Sequence, residues 1–119
     1  MRRPAVAPIA LLLTACAPAV VPTGELPTGT AFPASYRGLW ADAPAACLAD
    51  PVRIGARGLT GLSTDCTVRT LRPAAGGGLV ADMACTANGR AYDDLVRLSV
   101  AGDAMTYRNA NGEARWTRC

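Results

Sequence analysis

Thr64-Asp65-Cys66-Thr67-Val68-Arg69-Thr70-Leu71 is rich in β-branched residues and alternates in polarity. Such residues suit a pleated, half-buried surface, and a period of two sends successive side chains to opposite faces. The spacing predicts a strand with Cys66, Val68 and Thr70 on one face and Thr67, Arg69 and Leu71 on the other. Pro73 and Gly76-Gly77-Gly78 end it and make a loose connection. Leu79 to Thr86 then alternates again, with Leu79, Ala81, Met83 and Cys85 sharing a face, so the two stretches form an antiparallel hairpin.

Towards the carboxyl terminus the same grammar continues. Asn88-Gly89 is a tight-turn signal, because both residues tolerate positive φ. Ala91 to Val100 comes next, with Val96, Leu98 and Val100 set against Arg97 and Ser99. Ala101-Gly102-Asp103 turns the chain, and Met105 to Arg108 pairs, across Asn109-Ala110-Asn111-Gly112, with Glu113 to Cys119.

Towards the amino terminus the elements are shorter. Tyr36-Arg37-Gly38-Leu39-Trp40-Ala41 opens the folded domain, with Trp40 anchoring a first strand. Asp42 to Leu48 suits one helical turn, Asp42 capping and Pro44 in the first turn. Val52-Arg53-Ile54 is extended after Pro51, and Gly55, Gly58 and Gly61 punctuate the stretch that carries Leu59 and Leu62. Roughly six to eight short strands without a long amphipathic helix predict an all-β fold. The expected form is a small antiparallel meander, closed or half-closed as a barrel, with a two-sheet sandwich as the alternative.

A domain this small has a thin core and needs staples. Cys47, Cys66, Cys85 and Cys119 supply them. Four cysteines allow three pairings, and spacing does not choose among them. The expectation carried forward is Cys47–Cys66, pinning the Trp40 segment to the central strand, and Cys85–Cys119, locking the last strand onto the meander. No Cys-x-x-Cys occurs and the chain has no histidine, so a zinc or redox site is not expected.

The fifth cysteine stands apart. Met1-Arg2-Arg3 is positive, Pro4 to Leu13 is mostly apolar, and Leu13-Thr14-Ala15-Cys16 completes the segment. The run is shorter than the ~20 residues of a bilayer-spanning helix and has the layout of a secretory signal. Its last four residues resemble the lipobox of bacterial lipoproteins. The resemblance covers the first sixteen residues and implies cleavage before Cys16 and lipid on its thiol, which leaves four cysteines to pair. Ala17 is not the aspartate of an inner-membrane retention signal, so the resemblance favours the outer membrane, facing the periplasm. Ordinary signal cleavage near Ala15 or Ala17 is the competing reading.

Three segments result: a signal peptide over 1–15, the lipidated cysteine with a Pro-rich tether over 16–33, and a β domain over 34–119. Prolines 18, 22, 27 and 33 keep the tether from forming helix or sheet, and it contains no Pro-x-x-Pro recognition motif. Without residues 1–15, ten arginines face nine acidic residues, and no basic cluster marks a nucleic-acid partner.

Chemistry is sparse. Without histidine neither a Ser-His-Asp nor a Cys-His site can be built. Asp93 and Asp94 are adjacent, so on a strand they point to opposite faces. Gly76-Gly77-Gly78 lacks the lysine and helix of a phosphate loop. Arg115, Trp116 and Arg118 make the candidate binding surface, an arginine beside a tryptophan; the competing picture is outward Arg and inward Trp. No catalytic residue, metal or cofactor is expected.

The reading is a non-catalytic envelope lipoprotein, held at the membrane through Cys16, whose β domain binds a protein or supports an assembly; its oligomeric state is left open. The alternative is a periplasmic inhibitor of a hydrolase. Gly38-Leu39-Trp40 followed by Cys47 resembles, over about ten residues, the opening of small lipid-anchored metalloprotease-inhibitor barrels. An inhibitor of that kind, or of the lysozyme type, would have a secreted hydrolase as partner and would expose a mobile segment at residues 28–37 or at the Gly76–Gly78 loop.

Overall fold

A computed structural model describes residues 29–119 and the pair Pro4–Ala5. The expected signal peptide, Cys16 and the tether as far as residue 28 lie outside the described residues, apart from that pair. The chain is all-β. Eight antiparallel strands close a barrel in sequence order, β1 (Gly38–Ala41), β2 (Val52–Ile54), β3 (Gly58–Gly61), β4 (Thr64–Pro73), β5 (Leu79–Ala87), β6 (Arg90–Ala101), β7 (Ala104–Asn109) and β8 (Gly112–Arg118), with β8 returning to pair with β1. A 3₁₀ turn, Ala34–Tyr36, precedes β1. One helical turn, α1 (Ala46–Ala49), lies between β1 and β2; its N-cap is Ala45, with no side-chain cap, so the capping expected of Asp42 does not occur.

The hairpins form where the turn residues demand them. Asn88 and Gly89 both adopt positive φ, 51° and 76°, and join Ala87 to its partner Arg90. In β5 Leu79, Ala81, Met83 and Cys85 are all buried, as the alternation predicts. In β4 the alternation slips. Val68 pairs with Met83 and Thr70 with Asp82, leaving Arg69 as the extra residue of a bulge. Cys66 and Val68 face inward as expected, but beyond the bulge Leu71 is buried and Thr70 exposed, the reverse of the expected faces. Without the extra residue Leu71 would point to solvent, at a cost of roughly 1.5–3 kcal/mol in lost burial. β3 and β4 meet so closely at Gly58 that any Cβ there would collide with the Cys66 carbonyl.

The interior is filled by Trp40, Phe32, Ile54, Leu71, Leu79, Met83, Leu98 and Met105, and among the described residues no polar or charged residue is buried. Phe32 alters the expected domain limit. The proline pattern puts residues 29–33 in the tether, yet Phe32 is fully buried in the core, its N–H donates to Ala56 O at 2.7 Å, and Gly29 bridges Leu71 through two backbone hydrogen bonds of 3.2 and 2.6 Å. This strap runs across the barrel end formed by the β2–β3, β4–β5 and β6–β7 connections.

The disulfides are Cys66–Cys85 and Cys47–Cys119, which corrects both expected pairs. Cys66 and Cys85 stand directly opposite on β4 and β5, with Cα atoms 4.0 Å apart. Cys47 rides on α1, which packs beside β1, and barrel closure makes β8 the neighbour of β1. Cys119 comes just after β8 and donates its N–H to Leu39 O at 2.9 Å, which brings it within reach of Cys47.

Candidate binding surface of a filled barrel

A barrel packed with apolar side chains leaves its two ends and its outer wall for recognition. The strapped end is sealed. Phe32 and Tyr36 enter the core there, and the Trp40 indole N–H donates to Tyr36 O at 3.0 Å. Arg118 closes over them: its guanidinium lies 4.2 Å from the Trp40 ring centroid, Nη1 donates to Arg37 O at 2.7 Å and Nη2 to Ser35 O at 2.8 Å. Arg37 Nε in turn donates to Phe32 O at 2.8 Å.

The opposite end carries a tyrosine–tryptophan pair beside a shallow hollow. Tyr107 tilts against Trp116 with ring centroids 4.8 Å apart. The Tyr107 hydroxyl donates to Asp94 Oδ2 at 3.1 Å, and Asn109 Nδ2 donates to the same oxygen at 3.2 Å. Leu62, Asn111 and Ala114 complete a shallow hollow of about 250 Å³. Burial pushes the Tyr107 hydroxyl well above the usual phenol range, and the Asp94 carboxylate adds to the effect. Tyr107 therefore stays a neutral hydrogen-bond donor at physiological pH.

The candidate surface Arg115, Trp116 and Arg118 is not one surface. Trp116 is part of the core, Arg118 is the seal of the strapped end, and only Arg115 stands in solvent, ion-paired to Glu113 at 3.4 Å. Glu113 also binds Arg108, whose guanidinium is the first cause of a carboxyl held below its ordinary range. Asp93 and Asp94 diverge as a strand requires: Asp93 faces out to Arg69 at 2.6 Å, while Asp94 shares the face of the buried Met83.

Sequence reasoning missed Tyr107, Asn109 and Asp94 as a group because the register of β6 against β7 brings them together, and neither strand alone announces that register. Among the described residues no cluster of three or more Cys, Asp or Glu is placed to hold a metal ion, and no helix is long and apolar enough to cross a membrane. The chain matches no family model, no curated protein and no solved structure.

Proposed function

We propose that this protein is a bacterial envelope lipoprotein, anchored through Cys16, whose barrel is a non-catalytic module that works through its outer surface. The observation that carries the second half is the filled interior: among the described residues apolar side chains occupy the core and the Phe32 strap closes one end, which favours recognition at the surface over enclosure of a ligand. The first half rests on Leu13-Thr14-Ala15-Cys16. Two or three acyl chains, at ~0.8 kcal/mol per buried methylene, would hold the chain at the membrane far better than one.

Of the two segments that the hydrolase-inhibitor alternative needs, residues 29–36 are tied to the barrel, whereas Gly76 and Gly77 are exposed. Gly29 is bridged to Leu71, and Phe32 and Tyr36 are buried. The glycine loop is closed by hydrogen bonds from Ala74 N to Gly78 O at 3.0 Å and from Gly77 N to Ala74 O at 3.2 Å.

Metabolic labelling with an alkyne palmitate analogue tests the anchor. Label and membrane association should both be present in the native chain and lost in Cys16→Ser; an unlabelled, soluble native chain would defeat the anchored reading. Addition of the unlipidated protein to lysozyme and to secreted metalloproteases should leave their rates unchanged, and stoichiometric inhibition would favour the alternative.

A further inference from the structure

The register assembles a row of cations that the sequence disperses. Arg72 on β4 pairs with Val80 on β5, Val80 with Arg97 on β6, and Arg97 with Arg108 on β7. Paired residues share a face, so all four side chains stand on the outer wall. Arg97 and Arg108 are direct cross-strand partners, an arrangement of like charges that costs stability unless something between them is negative. Glu113 is taken up by Arg108 and Arg115, and Asp82 and Asp93 by Arg69. Among the described residues no carboxylate forms a salt bridge with Arg72 or Arg97.

The floor between these arginines is apolar. Val80 and Leu95 line a groove of about 320 Å³ with Arg72, Arg97 and Arg108, and Leu95 is 58% exposed. Guanidinium groups pair through two N–H donors with phosphate oxygens. A soluble polyanion would use the arginines and leave Leu95 wet; an anionic bilayer offers phosphates at its surface and acyl chains just beneath. The connection is short enough to bring the wall there. Cys16 and the first bridged residue, Gly29, are thirteen residues apart and at most about 47 Å when the chain between them is fully extended.

We propose that the wall bearing Arg72 and Arg97 rests on an anionic bilayer, these two arginines on headgroup phosphates and Leu95 at the headgroup–acyl boundary, with Arg108 held at the rim by Glu113. The proposal rests on the anchored reading only for bringing the barrel near the membrane. The test removes the anchor, so each can fail alone: residues 16–119 carrying Cys16→Ser, oxidised to both disulfides, are sedimented with vesicles. Binding is expected to phosphatidylcholine vesicles containing phosphatidylglycerol, not to phosphatidylcholine alone, and is expected to weaken with salt. Each basic residue near such a surface contributes enough that Arg72→Glu with Arg97→Glu should weaken binding by at least about 30-fold. Arg53→Glu with Arg57→Glu, an equal charge change on β2 and the loop after it, should cost only a few-fold. Near-ultraviolet circular dichroism verifies that both double variants keep the fold. Three results would each overturn the proposal: equal loss from the two double variants, equal binding to both vesicle types, or displacement by soluble glycerol phosphate at the same phosphate concentration.

Discussion

The barrel has a long wall and a short wall, and they are held by different means. β4 to β8 run for 6 to 12 residues each and are joined in sequence by hairpin connections. β1 to β3 have only 3 or 4 residues each, and ten residues intervene between β1 and β2. Strand pairing alone barely sustains elements so short. The short wall is instead fixed from outside its own hairpins, by Cys47–Cys119, by the Phe32 strap and by Arg118 stacked on Trp40. Closure of this small barrel thus depends on contacts distant in sequence, concentrated where the strands are shortest.

The first way to break the contrast is to cut the closing disulfide. Cys47→Ser with Cys119→Ser frees a loop of 72 residues and should cost about 4 kcal/mol, against about 3 kcal/mol for Cys66→Ser with Cys85→Ser, whose separation is 19. Urea denaturation followed by tryptophan fluorescence measures both. Amide exchange should accelerate first in β1–β3 for the former pair; uniform acceleration would mean that the walls are not distinct.

Phe32→Ala leaves the sealed end without its plug. A loss of about 3 kcal/mol is expected. A loss under ~1 kcal/mol, read from the same denaturation curves, would show that the strap does not contribute as core.

Arg118→Met keeps much of the side chain's bulk but removes the two carbonyl contacts and the charge over Trp40. About 1–2 kcal/mol should be lost. The exchange protection of Gly38–Ala41 should fall while that of β5 and β6 holds.

The smallest effect belongs to the end opposite the strap. Tyr107→Phe should cost about 1 kcal/mol near neutral pH. The sign with pH comes from the raised folded-state pKa of Tyr107. Its contribution is fully present below the ordinary phenol value of about 10 and is lost as pH rises above it, because the unfolded chain ionises first. The native protein should therefore weaken in alkali more steeply than Tyr107→Phe, as urea midpoints between about pH 8 and 11 would record.

The long wall was legible in sequence because its cues are local. The face of β5 follows from alternation at Leu79, Ala81, Met83 and Cys85, and the turn at Asn88-Gly89 from two residues that accept positive φ. The bulge at Arg69 was not legible: nothing in Val68-Arg69-Thr70 announces an extra residue, and one is enough to exchange Thr70 and Leu71 between faces. Phe32, the single phenylalanine of the chain, was hidden by the prolines around it, which argue for an extended segment and say nothing of what that segment covers. The disulfides could not be paired because pairing depends on which strand lies beside β1, a fact of closure. The same limit applied to the surface. Arg115, Trp116 and Arg118 are adjacent in sequence and separate in space, whereas Arg72, Arg97 and Arg108 are remote in sequence and lie along one cross-strand row.

The two disulfides are nested, Cys66–Cys85 within Cys47–Cys119. Wherever thiols are oxidised as a chain arrives amino end first, Cys47 meets Cys66 before either native partner has appeared. An oxidant that joins cysteines in order of arrival would trap the wrong pair. Under such an oxidant, correct maturation requires that Cys47 stay reduced until Cys119 is delivered, or that an isomerase undo its first choice. In such a compartment the yield of native protein would turn on one thiol across the 72 residues that separate it from its partner.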